Sequence, residues 1–231
     1  MKLKAIYNQL LQEAGGEEPG QIELRRVTVE DALAYCKKMG LNVPKLEIHL
    51  RLAQKLFDYG KTKRADMPVI DEKDVKDFQS KLKSGLLDLE DPFSDRTDPS
   101  DPFPQGLSGT SATDWMRNGL RDKKRPDDVI KVYEKRIAAK DLKPIQQQVY
   151  LDKSVKSTVK FGIEGTTSFL NNSTLICSSD GRIIDGHHRY LSALIIDPNM
   201  MMKCLVIDLP ISKLLPLATA YGDARGNERN A

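Results

Sequence analysis

The chain has 231 residues, 39% hydrophobic and 30% charged, a balance that buries a core in one large domain or two small ones. Its 36 basic and 33 acidic side chains leave a net charge of only +3, so no global field demands a nucleic-acid partner. No apolar run approaches the length that crosses a bilayer, and no signal-peptide core follows Met1.

Residues 1–13, MKLKAIYNQLLQE, read as a short amphipathic helix with Leu3, Ile6, Tyr7 and Leu10 on one side, cut off by AGGEEPG. Leu11-Gln12-Glu13 before Ala14 resembles the cleavage site of capsid-targeting leaders in phage internal proteins. That resemblance implies a virion-cargo protein with a capsid or host partner; the other reading is an ordinary N-terminal helix. Residues 1–20 are thus leader and linker, and 21–87 a helical unit. Thr28 is the N-cap of a helix over 28–39, with Asp31 as a relative of the capping-box acid. A second helix runs over about Pro44–Tyr59 and a third over about Asp71–Ser84, each closed by a glycine. His49 stands alone beside the second apolar face and reads as structural.

Residues 88–112 carry repeated Asp-Pro and Asp-Pro-Phe (91–93, 101–103) and read as a linker. Residues 113–141 hold the only tryptophan, Trp115, and the strongest basic cluster: Arg117, Arg121, Lys123, Lys124 and Arg125. That cluster could contact DNA phosphates or lie in solvent. A helix is expected over Asp127–Ala139, with Val129, Ile130, Tyr133 and Ile137 inward. Then come a strand over Lys143–Leu151, a helix over Asp152–Phe161 and a loop, GIEGTTSFLNNS. Cys36, Cys177 and Cys204 have no metal spacing and read as buried thiols of a reducing compartment such as the cytoplasm.

The most informative stretch is TLICSSDGRIIDGHHRYLSALIID. Asp180-Gly181 between two apolar runs is a hairpin turn, joining strands Leu175–Ser178 and Arg182–Asp185. Gly186 then opens a helix to about Ile196, whose first residues are His187, His188 and Arg189. A helix start favours anions through its free amides, and an arginine fork beside two imidazoles suits a phosphate. Asp185, at the strand end, is placed to hold Mg²⁺ or to accept a proton. A structural reading is open at the same residues, with Asp185 capping the helix and Arg189 paired to a carboxylate. A strand over Lys203–Leu209, a helix over Ile211–Tyr221 interrupted by Pro216, and a tail over 223–231 complete the chain.

Asp185-Gly186-His187-His188-Arg189 resembles the D-G-x-H-R corner of the ParB/sulfiredoxin superfamily, which includes chromosome-partitioning ParB proteins, sulfiredoxins and free-serine kinases. Leu151-Asp152 and Val155 fit the start of the same domain, so the resemblance spans 142–222. It implies an α+β chain: a helical N-terminal region, then a small mixed sheet with helices. It also implies a nucleotide such as ATP bound with Mg²⁺ and a kinase or ATPase activity, with Gly186, His187, His188 and Arg189 on the phosphates and Asp185 and His188 catalytic. The superfamily's other activities imply a ParB-like DNA-binding protein or nuclease as the alternative. Sulfiredoxins carry cysteine where His187 stands, so sulfinic-acid reduction is not implied. Asp152, Lys153 and Glu164 are nominated by the fold analogy alone.

Overall fold

The Asp180-Gly181 turn forms where the sequence places it, and a sheet is built outward on both sides of it. The structure is a computed structural model that describes residues 21–87 and 128–227. The leader, the Asp/Pro-rich linker, Trp115 and the basic cluster at 117–125 lie outside the described residues. Within them are six α-helices and a five-stranded mixed sheet. These are α1 (Val29–Lys38), α2 (Leu46–Phe57), α3 (Val75–Lys83), α4 (Leu151–Asn172), α5 (His187–Ile196) and α6 (Ile211–Ala224). The strands are β1 (Val132–Ala138), β2 (Lys143–Pro144), β3 (Thr174–Ser178), β4 (Arg182–Asp185) and β5 (Met201–Ile207), in spatial order β1-β5-β3-β4-β2. The chain is mixed α and β, with helices on both faces of the sheet. No helix among the described residues is long and apolar enough to cross a membrane.

Alternation along the strands sends side chains to two cores. Leu175, Cys177, Cys204 and Val206 join α1, α2, α4 and α5 on one face. Ile176, Leu205, Ile207 and Val132 join α3 and α6 on the other. The helical segment 21–87 therefore shares its cores with the sheet. Phe57 of α2 packs against Tyr190 of α5, ring centroids 5.7 Å apart. His49 belongs to this contact: its Nδ1 bonds the Ile195 carbonyl at 2.9 Å. Thr28 caps α1 as expected, accepting the Asp31 amide at 3.1 Å. All three cysteines are buried free thiols, and burial pushes Cys36 up to about 12.

Three expectations are corrected. The helix expected over Asp127–Ala139 is instead β1, antiparallel to β5 with Val132 opposite Ile207. Val129, Ile130, Tyr133 and Ile137 fit a helical period, but the open edge of β5 offers this β-branched segment a full ladder of hydrogen bonds. The strand expected over Lys143–Leu151 stops at Pro144. Beyond it the amides find other acceptors: those of Ile145 and Gln146 bond His187, that of Tyr150 bonds His188, and that of Leu151 bonds the Ile22 carbonyl. The loop expected after Phe161 is the second half of α4. Gly162 breaks the run with φ 69° and ψ 168°, a conformation essentially reserved for glycine. The helix then resumes, with Thr166 and Leu170 buried.

Candidate phosphate site at the start of α5

Strand β4 ends at Asp185, and Gly186 turns the chain into α5 with φ 100° and ψ 23°. An L side chain rarely tolerates that left-handed geometry. No side chain caps α5, and its first intrahelical bond is from the Tyr190 amide to the Gly186 carbonyl at 2.9 Å. Nor does a side chain cap α4, whose N-cap is Tyr150. The two helix starts touch. The Tyr150 amide donates to His188 Nε2 at 3.3 Å, and Ser154 Oγ donates to the His188 carbonyl at 3.0 Å. Two positive ends of helix dipoles thus converge on one corner.

The two histidines do different work from each other. His187 is 3% exposed, and its Nε2 accepts from the amides of Ile145 and Gln146 at 3.3 and 3.2 Å. An accepting Nε2 places the proton on Nδ1 of a neutral ring. Burial, and secondarily the neighbouring His188, lowers its pKa to about 3. His188 is half-buried and stacks on Tyr150, centroids 6.1 Å apart and planes 19° from parallel. Burial lowers its pKa to about 4, helped by the positive charges of Arg64 and Lys153. Both imidazoles therefore pin the 145–150 segment across the helix start.

Arg189 is committed within the chain. Its Nη2 donates to Asp185 Oδ2 at 2.6 Å and its Nη1 to the Thr174 carbonyl at 2.8 Å. Enclosure raises the Asp185 carboxyl above its usual value while the guanidinium opposes the rise; 38% of the Asp185 side chain still reaches solvent. This is the carboxylate pairing that the structural reading of the sequence offered for Arg189.

Asp185, Gly186, His187, His188 and Arg189 nevertheless line one cavity of about 260 Å³, together with Arg64 and Gln146. Arg64 was not legible as a site residue. It enters from the loop after α2, which is sewn to the corner by bonds from the Lys61 and Thr62 amides to the Ile145 carbonyl, each 3.0 Å. Its guanidinium lies 5.2 Å from the Tyr150 ring centre, and Lys153 Nζ lies 5.1 Å from it. Of the residues nominated by analogy, Lys153 is beside the site. Asp152 is spent on the Ile22 amide at 2.9 Å and on Lys156. Glu164 is exposed on α4 beyond Gly162 and does not line the cavity.

Comparison with known proteins adds no assignment: no family model, no curated protein and no solved structure matches the chain. The reading therefore rests on the corner itself. A phosphate fits it by charge, since the lining holds two guanidinium groups and one carboxylate beside uncapped helix amides. It fits by size as a phosphate chain, being smaller than the roughly 300–1,000 Å³ of a drug-sized ligand pocket. No group of three His, Cys, Asp or Glu side chains gathers among the described residues. A Mg²⁺ ion would take one protein oxygen, from Asp185, and complete its shell from phosphates and water, which is its usual manner in such sites.

Proposed function

We propose that this chain is a nucleotide-dependent phosphoryl-transfer enzyme of the ParB/sulfiredoxin kind, with the phosphates held at the start of α5. The observation that carries the reading is the cavity itself. It opens at the uncapped start of α5, where Arg64 joins the Asp185–Arg189 corner. Phosphoryl transfer asks little covalent chemistry of the protein beyond positioning and charge neutralisation, and those are what this corner can provide.

Each residue then has a task. The amides at the start of α5 and the Arg64 guanidinium bind phosphate oxygens, and Lys153 adds positive charge nearby. Arg189, fixed by Thr174 and Asp185, presents an oriented cation at the cavity wall. Asp185 accepts a hydrogen bond from an incoming hydroxyl or supplies the one protein oxygen to Mg²⁺. His187 and His188 act through the backbone they hold, as positioning residues.

Calorimetry with ATP, ADP and CTP in Mg²⁺ tests the reading. At least one nucleotide should bind, and Arg64→Ala should weaken that binding roughly tenfold to a hundredfold, the worth of a charge-assisted hydrogen bond. Arg64→Lys should restore part of it. Failure of the unmodified protein to bind any of the three would end the proposal.

A further inference from the structure

The Asp185–Arg189 pair also borders a second cavity. A groove of about 640 Å³ shares both residues with the phosphate cavity. Ile176 and Leu205, almost wholly buried, lie at its base, and the half-buried Val75 and exposed Phe169 give it an accessible apolar wall. Phe169, at the end of α4, is 55% exposed, a large aromatic ring left facing solvent. Lys76 and Glu134 mark a rim of mixed charge. The volume lies within the range of a small-molecule site, and apolar walls with a few convergent polar groups are the usual make-up of one.

We infer that this groove binds the phosphoryl acceptor, a hydroxyl-bearing molecule with an apolar body, whose hydroxyl end lies at Asp185, which lines both cavities. The inference rests on the phosphate reading and extends it to a second substrate. Three observations choose this occupant. The groove abuts the phosphate cavity through one ion pair, so a hydroxyl at its end lies next to the phosphate corner. Its accessible wall at Val75 and Phe169 is hydrocarbon, which rewards an apolar body. Its rim carries both signs of charge, which gives no preference for a second polyanion. In the transfer, the acceptor oxygen bonds to the terminal phosphorus of the nucleoside triphosphate and the bond from that phosphorus to the bridging oxygen breaks. The nucleoside diphosphate leaves, and the hydroxyl proton passes to water along the open groove.

Simple alcohols test this without knowledge of the natural acceptor. The full chain is incubated with ATP, Mg²⁺ and each primary alcohol from ethanol to 1-hexanol, and alkyl phosphate is counted by phosphorus NMR. Formation should rise about threefold to fourfold per added methylene, as expected for burial against an apolar wall. Phe169→Arg changes an exposed side chain and Gln79→Trp fills the groove from α3. Both should flatten the chain-length dependence and leave ATP affinity by calorimetry unchanged. ATP binding with no chain-length dependence overturns the inference and leaves the phosphate reading standing; residues 88–127 lying in the groove would give that result. Loss of ATP affinity in Phe169→Arg also overturns it, because the groove would then hold the nucleoside. No ATP binding by the unmodified chain removes both readings together.

Discussion

Lowering the pH from 7 to 4 should cost the protein on the order of 3 kcal/mol of stability through His187 alone. In the unfolded chain this imidazole takes a proton near its ordinary 6.5; in the folded chain burial holds it neutral down to about 3. Between those values the unfolded state binds more protons than the folded one, so stability rises with pH across the window. It is fully present above about 6.5 and is lost progressively as the pH falls toward 3. The cause is burial, with the neighbouring His188 second, and protonating Nε2 would also remove the acceptor on which the Ile145 and Gln146 amides depend. His187→Phe should be less stable than the parent by about 2–6 kcal/mol at pH 7, since each of the two orphaned buried amides costs about 1–3 kcal/mol. The gap between the two proteins should close by roughly 3 kcal/mol at pH 4. Urea midpoints across that range read it directly, with the slope m serving as a check on two-state behaviour. A gap that stays constant from pH 7 to 4 would mean that the ring is not the titrating acceptor.

The same histidine shows what the sequence could and could not reveal. The strand–Gly–helix corner was legible because its signals are local. An Asp-Gly turn closes the hairpin, with Ser178, Asp180 and Arg182 bonded across it, and a glycine follows β4. The helix α1 was legible for the same reason, through Thr28. What the imidazoles bind was not legible, because their donors belong to a segment that departs from the sheet after Pro144. Nothing in KPIQQQVYL says that its hydrogen bonds go to side chains instead of a neighbouring strand. Arg64 was hidden by distance along the chain: only the docking of the loop after α2 onto Ile145 brings it to the corner. The other two misread elements failed for different reasons. The apolar residues of β1 fit a helical period and do not alternate cleanly, and the open edge of β5 drew the segment into the sheet. The second half of α4 is rich in glycine, threonine and asparagine, poor helix formers whose weak propensity is overridden once Thr166 and Leu170 are buried.

Replacing Gly186 by alanine should destabilise the protein by about 3 kcal/mol, combining the strain of a left-handed residue with overpacking. For a chain of this size that lowers Tm by roughly 6–12 °C. At φ +100° an added methyl would collide with Leu175 Cδ2 and lie 3.1 Å from Arg189 Nη2. Leu175 is fully buried in the core beneath α5, so it has little room to retreat. Gly181 supplies the control. It also has a positive φ, +74°, but an added methyl there would meet nothing within 4 Å. Gly181→Ala should therefore cost only the conformational strain, about 1–2 kcal/mol. The difference between the two variants isolates the packing beneath Gly186, and under the proposed function Gly186→Ala should also weaken nucleotide binding where Gly181→Ala does not. Equal losses of stability in the two would show that strain alone is felt at the corner. The close fit of Leu175 under Gly186 would then play no part in setting where Arg189 sits.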